Sequence, residues 1–407
     1  MMRSIDWCFV RLMSWGSVVW SLLVRLAASM GHSRARARVA IRWHGWDAVM
    51  AHRGEPLMWF HCASLGELEQ AIPVMEAHRQ ANPASPFLLT LYSPSGYHPV
   101  KNRPPAVLGE QDCVAVLPDD HPSTWDALLD AVPIRSLALA KYDFWPSLMR
   151  ALALKGIPIH VFAAAPASLG AFRASLWRMA TSISAQDEEA VKVLAGAGLK
   201  SVADGDPRID RVLARQVRPQ EALATWAGSG QQVVVAGSTW HEEEQALMAM
   251  TWSEDVKLIL VPHDVSPNNI DRLRTAWGDR GMCWTEWSAA TPDLQSHMHV
   301  VIVDAVGMLF DLYRLGQVAV VGGAHGSGLH NVLEPASAGL PVVTGPNLGN
   351  FREAHALRDL GALRCANLQE DLRDWLDHPE QAVLDGQAGL AWLERQKGAS
   401  NQIVARW

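Results

Sequence analysis

The sequence predicts an α/β protein built from two Rossmann-like domains with parallel sheets, and three observations carry that expectation. From Pro56 onward, β-type runs alternate with helical periodicities. The alternation comes in two successive series. Between them lies a stretch that loses strand character and gains charge, Pro and Gly. A length of 407 residues exceeds one ordinary core, and a hydrophobic content of 49% excludes wholesale disorder.

In the first series, Leu57–Cys62, Phe87–Tyr92, Cys113–Leu117, Ser136–Ala140 and Ile157–Ala163 read as strands, with amphipathic helices over Gly66–Asn82 and Pro146–Lys155. The second series runs Gln231–Ala236, Lys257–Val261, Val300–Val303, Val318–Val321 and Pro341–Thr344. The expected domains are residues 44–207 and 230–387, joined by a linker at 208–229. The last helix, about 388–407, is expected to return toward the first domain. Ligands of open α/β sheets bind outside the carboxyl ends of the strands, so the cleft between two such domains is the expected site.

Residues 1–43 form a separate segment. An apolar run from Ile5 to Ala28 precedes Arg34, Arg36, Arg38 and Arg42, although the net charge of the chain is −7. Its uninterrupted core between Arg11 and Arg25 is 13 residues, shorter than the roughly 20 needed to cross a bilayer. Three readings stay open here: a membrane anchor or interfacial helix with a basic stripe for anionic head groups, a cleaved signal peptide ending near Ala27–Ser29, and a buried helix. The first places the body of the protein on the cytoplasmic face of a membrane. Five scattered cysteines without a Cys-x-x-Cys pair indicate a reducing compartment and no zinc site. The acidic remainder, with no basic–aromatic stripe, argues against nucleic acid.

Chemistry-bearing residues cluster at strand ends. Val318–Pro346 combines a strand, the glycines Gly322, Gly323, Gly326 and Gly328, and then His330, Asn331 and Glu334 at a helix start. The glycines allow positive φ and close approach of a ligand, and the helix start favours an anion. Glu334 is placed to hold two ribose hydroxyls. The alternative is a plain glycine-rich αβ connection. Glu67 follows a strand ending at Ser64 and is a candidate general base or, alternatively, only a complement to its helix start. Ser93, Ser95 and Gly96 form a turn able to hold a sugar or phosphate. Lys141 and Asp143 share one face of an extended stretch, as an ion pair or as flanks of an acceptor. Ser238 reads as a phosphate or cap hydroxyl, Glu242–Glu244 as complements to a helix start, and His263 as a contact for a base or phosphate. Gly307 and Met308 open another helix after a strand.

Taken in order, the words HCASLGELEQAIP, SPSGYHPVKN, AKYDFWP, GDPRIDRV, AGSTWHEEE, VPHD, DAVGMLFDLYR and GGAHGSGLHNVLEPASAGLPVVTGPNLGNFREA resemble the 3-deoxy-D-manno-octulosonic acid (Kdo) transferases of lipopolysaccharide synthesis. They run from about residue 57 to 357, and the N-terminal segment resembles the family's membrane anchor. The resemblance implies the two-domain GT-B fold, CMP-Kdo as donor, a lipid A precursor as acceptor, and a place at the inner membrane. It implies Glu67 as catalytic base and Pro262, His263, Gly307, Met308, Leu309, Asn331, Val332, Leu333 and Glu334 as CMP contacts. Arg208 falls where the family carries a basic residue near the donor phosphate. Two departures stand out. Lys141 occupies the first acidic place of its element, leaving Asp143 as the carboxylate there, and His263 stands where many members carry arginine.

The reaction so implied is direct, inverting displacement at the anomeric carbon; no cluster in the sequence has metal-ligand spacing, so no metal or other cofactor is expected. Its rivals are another GT-B nucleotide-sugar transferase or epimerase, and a catalytically silent membrane-bound scaffold.

Overall fold

A computed structural model describes residues 4–141, 143–228, 231–326 and 328–407. It divides into two compact units, the first Met1–Arg211 with Gln396–Trp407 and the second Val212–Arg395. Tyr142, Ser229, Gly230 and Ser327, which fall within the motifs and linker read above, lie outside the described residues.

The first unit holds strands β1 (Leu57–Cys62), β2 (Phe87–Leu91), β3 (Cys113–Val116), β4 (Ile134–Ala140), β5 (Ile159–Ala164), β6 (Ser182–Ala185) and β7 (Val202–Ala203). They form one parallel sheet in the order β3-β2-β1-β4-β5-β6-β7. Every residue of β1 is buried because helices cover both faces of the sheet, so alternation divides the strand between two apolar layers. Leu57 and Trp59 join Trp125, Leu148 and Leu152 on one side; Met58, Phe60 and Cys62 join Ala71 and Met75 of the helix Leu65–Ala81 on the other.

The second unit repeats the design with β8 (Gln232–Thr239), β9 (Val256–Pro262), β10 (Gly281–Cys283), β11 (Val300–Ile302), β12 (Val318–Val321), β13 (Val342–Thr344) and β14 (Leu363–Arg364). Its parallel order is β10-β11-β9-β8-β12-β13-β14. Each sheet reverses direction of winding once, between β1 and β4 in the first and between β8 and β12 in the second. Those reversals are where such sheets open a crevice.

Four strands escaped the sequence reading. β6, β7, β10 and β14 are two to four residues long and carry small or charged residues, too short for a period-2 signal. The expected single helix at 388–407 is two, Pro379–Arg395 and Ala399–Val404, because Gly398 adopts φ +103° and breaks the run. The stretch read as a linker contains the helices Pro207–Ala214 and Glu221–Ala227. Asp210 accepts from Gly398 N and Ser400 N at 2.6 and 2.7 Å, and Asp204 pairs with Arg406 at 2.8 Å, so Asp204 and the GDPRID segment that follows it seat the C-terminal helix in the first unit. Trp407 then stacks on His160, with ring centroids 5.1 Å apart, beside Phe60, His78 and Phe162.

The N-terminal helix Ser4–Ser29 lies along the first unit. Asp6, fully buried, pairs with Arg178 at 2.7 Å, Val10 is buried, and Arg25 pairs with Asp119. On its other side Leu12, Trp15, Val19, Leu22, Leu23 and Leu26 are exposed. In the following helix, Ser33–Ile41, Arg34 and Arg36 are exposed. Arg38 departs from the expected stripe: it is buried over the Tyr92 ring and donates to Leu117 O at 2.6 Å.

Candidate active site

Glu67 stands at the winding reversal of the first unit, in the turn after β1. Ser64 caps the helix Leu65–Ala81, accepting from Glu67 N at 3.4 Å, and Glu67 Oε2 closes the capping box by accepting from Ser64 N at 3.1 Å and Ala63 N at 2.5 Å. None of these bonds falls on Oε1. Burial raises the Glu67 pKa above the ordinary carboxylate range and the charge of Asp143 raises it further, against the lowering effect of the two backbone N–H groups. Helix complement and candidate base are thus one geometry here.

Asp143 comes from the turn after β4, the neighbour of β1. Its Oδ2 lies 2.9 Å from His61 Nε2 and accepts from Trp145 Nε1 at 3.1 Å. Lys141 holds φ +56°, one of three non-glycine residues at positive φ among those described, and its charge acts on Asp206. Asp206 is buried and receives Arg208 Nε at 2.9 Å and Nη2 at 2.6 Å together with Gln186 Nε2 at 2.6 Å. Burial would raise its pKa, but Arg208 and then Lys141 hold it below the usual range. At the end of β2, Ser93 serves as a helix cap, accepting from Gly96 N at 3.0 Å, and Ser95 Oγ donates to Ser93 Oγ at 3.3 Å. Ser64 and Ser93 therefore act as helix caps after β1 and β2, with Ser95 and Gly96 in the first turn of the second of these helices.

In the second unit the reversal lies between the ends of β8 and β12. Ser238 has φ +53° at a register shift between Gly237 and Thr239. This bulge explains Gly322: a Cβ there would collide with the Ser238 carbonyl and Thr239 Cα, so protein backbone, rather than ligand, sets the need for glycine. Gly323 and Gly328 take positive φ, whereas Gly322 and Gly326 do not, a correction to the reading of all four as conformational glycines.

His263, at the end of β9 after Pro262, stacks on Trp240 with centroids 4.4 Å apart and lies 4.6 Å from the His330 ring. Trp240 Nε1 donates to His330 Nε2 at 3.0 Å. Burial and the neighbouring His263 lower the His330 pKa. Gly307 takes φ +87° in an exposed bend, followed by half-buried Met308 and Leu309. Asn331 Oδ1 accepts from Leu333 N at 3.0 Å, and the helix it opens, Leu333–Ser337, is a single turn. Val332 and Leu333 bury their side chains, which leaves only their backbone for the contacts expected of them. Glu334 meets Arg215 at 3.4 Å.

Sequence reasoning missed His61, Trp240 and Glu243. The reading of Glu243 as a helix-start complement is too small: besides accepting from Trp240 N at 2.9 Å, it accepts from Gly323 N at 3.1 Å and meets His325 Nδ1 at 2.8 Å. A six-residue buried strand with one histidine was the available signal for His61.

A family profile described as 3-Deoxy-D-manno-octulosonic-acid transferase (kdotransferase) matches residues 33–211. The chain is 28% identical to the 3-deoxy-D-manno-octulosonic acid transferase of Bordetella pertussis over 85% of its own length and 86% of that protein's. It is 24% identical to that of Haemophilus influenzae, over 92% of each chain. Among solved structures it resembles UDP-GlcNAc 2-epimerase from Neisseria meningitidis (TM-score 0.57, 14% identity, 86% of this chain and 98% of that one). It also resembles MurG from Acinetobacter baumannii (TM-score 0.55, 12% identity, 86% and 98%). These likenesses establish the GT-B fold.

Proposed function

The chain belongs to the 3-deoxy-D-manno-octulosonic acid transferase family of glycosyltransferases, and we propose that it moves Kdo from CMP-Kdo to a lipid A precursor such as lipid IVA. The acceptor hydroxyl attacks the anomeric carbon of Kdo. The new C–O bond forms as the bond to the CMP phosphate breaks, the electron pair leaves with CMP, and the hydroxyl proton passes to Glu67. Inversion follows from one displacement without a covalent enzyme intermediate.

Glu67 carries this reading. A carboxylate at a winding reversal, half-buried, raised in pKa and held through Oε2 alone, presents an oriented basic oxygen. In the second unit, Ser238, the backbone N–H groups around Asn331–Leu333 and the ring of His263 are the groups we assign to CMP, with Glu334 on the ribose. Arg208, fixed by Asp206, is the cation we assign to the departing phosphate. The N-terminal helix, with its exposed apolar side and the arginines after it, supports attachment to the inner membrane on the cytoplasmic face, where the lipid acceptor resides.

Incubation with CMP-Kdo and lipid IVA, followed by mass spectrometry, tests donor and acceptor together; no mass gain of Kdo would overturn the reading. Glu67→Gln is expected to abolish transfer while CMP still binds by calorimetry, and retained turnover would remove Glu67 as base. Among the described residues no three His, Cys, Asp or Glu side chains converge as a metal site, and excess EDTA is expected to leave transfer unchanged.

A further inference from the structure

We propose that His61 is a positioning residue of the transfer, fixing the Asp143 carboxylate beside Glu67 so that the two acids work as a unit. The proposal rests on Glu67 being the base. His61 is the one polar side chain of β1, and that side chain is fully buried. An imidazole at such a position costs free energy unless both nitrogens are satisfied, and here both are. Nδ1 lies 2.9 Å from Thr90 Oγ1 of β2, and Nε2 lies 2.9 Å from Asp143 Oδ2.

Trp145 Nε1 can only donate, and its hydrogen is shared between His61 Nε2 at 2.8 Å and Asp143 Oδ2 at 3.1 Å. Thr90 Oγ1 accepts from Trp59 Nε1 at 2.8 Å and lies against His61 Nδ1 on the other side of the ring. His61 Nε2, Asp143 Oδ2 and Trp145 Nε1 thus form one triangle of mutual contacts, each side 3.1 Å or shorter.

The chain Trp59–Thr90–His61–Asp143–Trp145 thus ties β1, β2 and the turn after β4 together under the Glu67 turn. Its product is an Asp143 carboxylate whose Oδ2 is held by two ring nitrogens, His61 Nε2 at 2.9 Å and Trp145 Nε1 at 3.1 Å. A buried network so satisfied is rigid, and misplacement of a group that tunes the base is felt in turnover rather than in donor binding.

The test uses the full-length protein with CMP-Kdo and lipid IVA. His61→Leu is expected to lower kcat about 10- to 100-fold while leaving KM for CMP-Kdo within about twofold of wild type. His61→Gln, whose amide reaches the Nε2 position, should recover most of kcat, and His61→Asn, whose amide reaches only the Thr90 side, should not. In an Asp143→Asn background, His61→Leu should cost nothing further, because the two residues act through one interaction. Unchanged kcat in His61→Leu, or its full cost persisting in the Asp143→Asn background, would overturn the proposal. If His61→Leu fails to fold, equal kcat in the Gln and Asn variants overturns it instead. Turnover in Glu67→Gln would remove the base assignment and this proposal with it; an inactive Glu67→Gln beside an unaffected His61→Leu removes this proposal alone.

Discussion

Glu243, fully buried, reaches from the start of the helix His241–Met248 to the amide of Gly323, 3.1 Å away, and so holds the glycine loop from beneath by its backbone. The same carboxylate takes Trp240 N and His325, which makes it the common anchor of three pieces of the site proposed to hold CMP. Removing a buried charged acceptor leaves its donors unpaired and costs about 2–4 kcal/mol. Glu243→Ala is therefore expected to weaken CMP binding about 10-fold or more by calorimetry, while Glu242→Ala, at its exposed neighbour, leaves it unchanged. Equal affinities in the two variants would show that the loop does not need this anchor.

As the proposed base, Glu67 should set the acid limb of the reaction. Its pKa is raised first by burial and then by Asp143, so the basic form is present above the raised pKa and is lost as pH falls through it. The acid limb of kcat/KM should accordingly lie above the ~4.3 of an ordinary glutamate. Asp143→Asn removes one of the two raising causes and should move that limb to lower pH. A limb that stays in place in this variant would mean that Asp143 does not act on the base.

The two units were legible because covered parallel strands leave long apolar runs, and because the reversal of each sheet gathers motif residues at strand ends. What escaped was long-range partnership. Glu243 is indistinguishable in sequence from Glu242 and Glu244, and only the bulge at Ser238 beside Gly322 brings it under the loop. His61 looked like part of an apolar strand because its partners, Thr90 and Asp143, come from positions 29 and 82 residues away. Arg38 read as membrane stripe by proximity to other arginines, whereas Tyr92 and Leu117 bury it.

The C-terminal residue should matter to stability. His78 and His160 lie buried beside Trp407, and burial pushes each down to about 4 from 6.5. The unfolded chain takes up protons on these histidines below about 6.5, whereas the folded chain resists until about 4. Their contribution is thus fully present above pH 6.5 and is lost between 6.5 and 4. Chemical denaturation at pH 7.5, 5.5 and 4.5 should show that decline. Trp407→Ala should lower stability by about 2 kcal/mol or more at pH 7.5 and flatten the decline, since uncovered histidines titrate more nearly as in the unfolded chain. A wild-type curve flat over this range would contradict the assignment.

The N-terminal helix is expected to lie in the plane of the membrane surface. Near its start Asp6 is held by Arg178, in its middle Val10 and Ser14 are buried, and toward its end Arg25 is held by Asp119. Crossing a bilayer would require these contacts to break and would take Asp6 out of its ion pair into hydrocarbon, which is strongly unfavourable. Lying flat keeps them and still offers lipid the side bearing Leu12, Trp15, Val19, Leu22, Leu23 and Leu26. With vesicles containing anionic lipid, quenchers placed at shallow depth should therefore reach Trp15 and Trp20 more efficiently than quenchers at the bilayer centre. Charge placed on the lipid-facing side tests the face itself: Leu22→Asp with Leu26→Asp should release the protein from vesicles while CMP binding in solution persists. Deep quenching of both tryptophans, or vesicle binding that survives the double substitution, would mean that the helix leaves its bed on the first unit or that another surface holds the lipid.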